Sequence, residues 1–121
     1  MSDADSDAKV RLREQIADLA SKFLERSRVQ AEKLCELNDR LRAGDASGIA
    51  LIHEIAHKIH GSGAMFGFTA VSERAEQIER ITQGLLGDIC APAPQISLGL
   101  AESIRQLTSA IEAAAAGRLP K

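Results

Sequence analysis

Apolar positions recur along this chain at spacings of three and four, the period of a helix with one dry face. Between Val10 and about Arg42 the stripe runs through Leu12, Ile16, Leu19 and Phe23, then Leu34, Leu37 and Leu41, with Gln30 as its polar interruption. No Gly or Pro inside this run forces a break, so it reads as one long helix or as two helices kinked near Ser27. The segment from Ala43 to Gly48 closes it: Gly44 suits a left-handed cap, and Asp45 or Ser47 can accept the free amide hydrogens of the next helix. A second stripe uses Ile49, Ile52, Ile55, Ala56 and Ile59 and continues through Gly61, Ser62, Gly63 and Ala64 to Met65. The segment Phe66 to Thr69 is a tight connection, with Gly67 for the turn and Thr69 as an N-cap.

Val71, Ala75, Ile78, Thr82 and Leu85 mark a third helix, which should stop near Gly84 or Gly87 and keep Glu73, Arg74, Glu76, Glu79 and Arg80 mostly on its wet side. Pro92 and Pro94 make a stiff linker and a helix-start signal. Ile96, Leu100, Ile104, Leu107 and Ile111 form the last stripe. Four amphipathic segments on short links are satisfied together by an all-α fold, an antiparallel four-helix bundle, with length to spare for an extra short N-terminal helix. The expected organisation is a disordered acidic N-terminus at 1–8, a bundle at 9–116 and a flexible tail at 117–121.

Composition narrows the function classes. A chain of 121 residues with 45% hydrophobic and 26% charged residues is an ordinary single globular domain. With no Trp or Tyr and three Phe, its core is aliphatic, which suits packed helices. A formal net charge of −2 gives no basic footprint for nucleic acid or anionic membrane. The acidic start lacks the basic and apolar regions of a signal peptide, so a cytoplasmic location is expected. Cys35 and Cys90 stand far apart with no CxxC spacing and read as reduced thiols.

The chemistry concentrates on the second helix, where His53, His57 and His60 fall within eight residues. At about 100° per residue, His57 lies roughly 130–140° from the centre of the apolar face, so it points outward. Gly61 and Ala64 flank it one and two turns on, and Gly61 and Gly63 each cost about 1 kcal/mol in a helix, so a bulky partner must approach closely there. An exposed imidazole is a nucleophile near neutral pH. The rival is a metal-binding bundle: His53 and His57 are an i, i+4 pair, and Glu54 with His57 makes an ExxH spacing. It lacks a second ExxH, and His57 faces away from the core, so no metal ligand is assigned. With no Gly-rich phosphate loop, the chain is not an autophosphorylating kinase, and whether it counts as an enzyme stays open.

The run Ala56-His57-Lys58-Ile59-His60-Gly61, with Gly67 six residues on and Ile78-Glu79 downstream, resembles the histidine phosphotransfer (HPt) domain signature of two-component phosphorelays. That pattern is Ala-His-x-Leu-Lys-Gly, a second Gly, then an amphipathic helix closing on Leu-Glu. The resemblance implies that His57 is the phosphoacceptor, that His60 and Lys58 neighbour the phosphate, and that Gly61, Gly63, Ala64 and His53 form the docking face, with Gly67 at the turn. It implies receiver domains and hybrid histidine kinases as partners, no cofactor on this chain, Mg2+ in the partner receiver, and relay of a phosphoryl group between receiver aspartates. A monomer is expected. The alternative within this resemblance is a non-catalytic module that binds receivers. One position departs: His60 stands where the family usually has Lys.

Overall fold

The computed structural model describes residues 3–87 and 93–117. Four helices follow in order: α1 (Asp3–Arg42), α2 (Ile49–Met65), α3 (Thr69–Gly87) and α4 (Ala93–Gly117), with one turn of 3₁₀ helix at Ala46–Gly48 before α2. Among the described residues there is no strand. Each helix packs on two neighbours in the ring α1–α2–α3–α4. Pairs across the interfaces fix the directions. Arg28 binds Glu112 while Asn38 meets Ser97, so α1 and α4 run oppositely. His53 meets Thr82 while His60 lies beside Ser72, so α2 and α3 do too. The expected all-α bundle is the observed one.

Both turns into and out of α2 use the same backbone device. After α1, Gly44 takes φ 100°, and the amides of Gly44 and Asp45 return to the carbonyls of Leu41 and Arg40 at 3.0 and 2.9 Å. After α2, Gly67 takes φ 80°, and the amides of Gly67 and Phe68 return to Ala64 and Gly63 at 3.1 and 2.8 Å. These are Schellman closures, which need the left-handed residue that glycine supplies. The second uses up residues 66–68, so α3 begins at Thr69 itself. Phe68 rather than Thr69 then holds the cap position, its carbonyl taking the Ser72 amide at 2.9 Å. Asp45 caps the 3₁₀ turn through the Ser47 amide.

The core is aliphatic: Leu34, Ile52, Ala56, Ile78, Leu100 and Leu107 are wholly buried. At one end the three phenylalanines meet, Phe23 lying 5.5 Å from Phe66 and 6.0 Å from Phe68 between ring centroids. This places the α2–α3 turn level with Phe23.

Two expectations about α1 are corrected. Residues 3–8 are not a disordered tail but the start of the helix; Asp5 sits in its first turn, where a carboxylate offsets the positive end of the helix dipole. The spare length therefore extends α1 and makes no separate helix. Leu12, Ile16 and Leu19 are not in the core: they are 57%, 50% and 55% exposed, and the buried stripe begins at Ala20. A 40-residue helix is about 60 Å long and α2 only about 26 Å, so α1 outruns its partners. Cys90, Pro92 and residues 118–121 lie outside the described residues. Among the described residues, no helix is long and apolar enough to cross a membrane.

Candidate functional site

α2 and α3 approach closely because Gly63 is buried against α3: a Cβ there would lie 3.3 Å from the Ser72 backbone nitrogen. The Ser72 hydroxyl also donates to the His60 carbonyl at 2.9 Å. This contact sets the rotation of α3 and turns Glu76, Glu79 and Thr82, spaced by three, toward His60, His57 and His53, spaced by three and four in the opposite direction. The result is a ladder of imidazoles on α2 and acceptors on α3.

At its centre is Glu79. One carboxylate oxygen, Oε2, contacts His57 Nδ1; the other, Oε1, lies 2.9 Å from His60 Nδ1. The Glu79 side chain is only 17% exposed. Partial burial pushes its carboxyl up, but hydrogen bonds from His57 and His60, with their charges, outweigh that and hold it below the usual value. An ionised carboxylate can only accept, so both imidazoles donate from Nδ1. A neutral His57 is thereby fixed with its proton on Nδ1 and its lone pair on Nε2. That side chain is 70% exposed, so Nε2 is turned to the solvent side.

His53 is tied down differently. Its Nδ1 lies 3.0 Å from Thr82 Oγ1 and 3.3 Å from the Glu79 carbonyl, and its ring stacks on His57 with centroids 6.4 Å apart. Thr82, wholly buried, donates its own hydroxyl hydrogen back into α3.

The other residues singled out from the sequence separate into groups. Gly61 is exposed, and a Cβ there would meet nothing within 4 Å; Ala64 is exposed beside it. Gly63 belongs to the α2–α3 contact and not to the open face. His60 points at Glu79, with Nε2 3.7 Å from Glu76, so its partners are carboxylates. Lys58 pairs with Glu54 at 3.1 Å on its own helix, both well exposed, a pair worth at most about 1 kcal/mol. Among the described residues, no group of three or more His, Cys, Asp or Glu side chains is arranged to hold a metal ion.

Sequence reasoning missed Glu79 as a partner of His57, since it set that residue on the wet side of α3. The signal was present in two forms: Ile78-Glu79 closes the family pattern, and the three-residue spacing of Glu76, Glu79 and Thr82 mirrors the histidines.

The site is thus one exposed imidazole on an antiparallel helical bundle, oriented from behind by a carboxylate. A family model for the Hpt domain matches residues 18–117, and the chain belongs to that family. Membership implies histidine phosphotransfer in phosphorelays and interaction with receiver domains and kinases. No curated protein and no solved structure matches the chain. The matched stretch opens two residues before the first buried position of α1, Ala20.

Proposed function

We propose that this protein relays a phosphoryl group between receiver-domain aspartates through a phosphohistidine at His57. The observation that carries the reading is the pairing of an exposed His57 with Glu79 through Nδ1, which turns Nε2 outward and, in the neutral imidazole, leaves the lone pair there. The Nε2 lone pair attacks the phosphorus of an aspartyl phosphate; the N–P bond forms, the O–P bond breaks, and the receiver keeps its aspartate carboxylate. The imidazole retains its Nδ1 proton, and the positive charge it gains is met by Glu79. No proton has to leave, so no separate base is needed. In the return step an aspartate oxygen of a second receiver takes the phosphorus and the bonding pair goes back to Nε2. Mg2+ in the receiver would neutralise the transferring group, since positioning and electrostatics supply most of phosphoryl-transfer catalysis. Gly61 and Ala64 give that receiver room.

Radiolabelled phospho-receivers mixed with the protein test this directly. Label should pass to the wild type as an acid-labile, alkali-stable adduct and should be absent from His57→Gln, whose helicity by circular dichroism stays unchanged. Equal labelling of His57→Gln would remove His57 from the reaction.

A further inference from the structure

We propose that His60 is a positioning residue for His57, acting through Glu79 and not on the phosphoryl group. The two imidazoles share one carboxylate: His57 holds Oε2 and His60 holds Oε1 from 2.9 Å. Glu79 is mostly covered, so the oxygen that His60 serves has little access to water as a substitute donor. His60 is itself only 33% exposed. Its other nitrogen lies toward Glu76, which Arg80 holds from the same helix. The charged groups facing His60 are therefore Glu76 and Glu79 from α3, with His57 beside it on α2. Between two carboxylates, its ring is engaged on the side of α3 and away from the position a phosphoryl group on His57 Nε2 would take.

The consequence lies in the tautomer of His57. A free neutral imidazole favours the proton on Nε2, the form whose outward nitrogen has no lone pair to attack with. Glu79 reverses that preference only while its carboxylate stays aimed at His57 Nδ1. A donor on Oε1 pins the carboxylate by its second oxygen, as second-shell partners fix the tautomer of other functional imidazoles. Without it, Glu79 turns toward solvent and His57 loses both its orientation and its tautomeric bias. A histidine brings a directed N–H.

The effect on transfer rests on the relay reading above; the effect on the tautomer does not. Nitrogen-15 NMR of the imidazoles reads the tautomer directly, and phosphoramidate, a small phosphodonor, reports His57 reactivity without a docked receiver. In that labelling Nε2 takes the phosphorus and ammonia leaves. His60→Ala should shift His57 toward the Nε2-protonated form and slow labelling about three- to tenfold, the worth of one hydrogen bond. His60→Asn, whose amide can donate from nearly the place of Nδ1, should restore both. His57 tautomer and labelling unchanged in His60→Ala would overturn the proposal. So would equal losses in both variants with a lowered melting temperature, which is what a purely structural role gives. If phosphoramidate and receivers both fail to label the wild type, the relay reading falls, and the NMR comparison still decides the role of His60.

Discussion

From Ala20 onward α1 buries a side chain every three or four residues, through Phe23, Ser27, Ala31, Leu34, Asn38 and Leu41, whereas the same spacing before Ala20 leaves Leu12, Ile16 and Leu19 at least half exposed. The two halves belong to one unbroken helix. They differ in what stands beside them. Periodicity marks the side of a helix that can be dry; whether it becomes dry depends on the length of the other helices, which none of the residues in the stripe encodes. α2 shows the same lesson over two residues. Gly61 and Gly63 both lack a side chain, yet one lies in the open and the other is pressed on the backbone of Ser72.

Cavity-forming substitutions should separate the halves most widely. Leu34 is wholly buried and Ile16 half exposed, so Leu34→Ala should cost about 2–5 kcal/mol and Ile16→Ala no more than about 0.5 kcal/mol, read from urea unfolding at a common slope. Similar losses from both would mean that a neighbour covers the first half of α1 in solution.

The glycine pair extends that contrast to the site. Gly61→Leu should leave stability nearly unchanged and cut transfer from a phospho-receiver by about 100-fold, the cost of holding the reacting atoms about an ångström out of place. Gly63→Ala should instead destabilise the bundle by about 1–3 kcal/mol through overpacking against Ser72. Normal transfer by Gly61→Leu would end the steric account of the open face.

How much could be read in advance follows from where the information sits. The stripes of α2 and α4, the glycine turns at Gly44 and Gly67, and the outward direction of His57 depend on local spacing and backbone sterics, and all are found as expected. The end of the buried part of α1 depends on the lengths of α2, α3 and α4. The inward turn of Glu79 depends on how α3 is rotated against α2, which the Gly63 contact sets. The engagement of His60 with carboxylates follows from that same rotation. Residues whose partners lie on another helix were thus legible as types and not as contacts.

The smallest effect lies within the buried half of α1. Ser27 is wholly buried, and its hydroxyl oxygen has no hydrogen-bond partner among the described residues. It interrupts an apolar face between Leu24 and Ala31, where a polar group that has left water without a new partner carries its full desolvation cost. Alanine removes the hydroxyl, opens a space smaller than a methyl group and is the better helix former. Ser27→Ala should therefore stabilise the protein by about 1 kcal/mol, seen as a higher urea midpoint with an unchanged slope. A serine-to-alanine change at an exposed position of the same half, Ser21, should yield only the difference in helix propensity, about 0.5 kcal/mol. A lower midpoint for Ser27→Ala would show that the hydroxyl is satisfied in solution and that this face of α1 is wetter than its side-chain burial indicates.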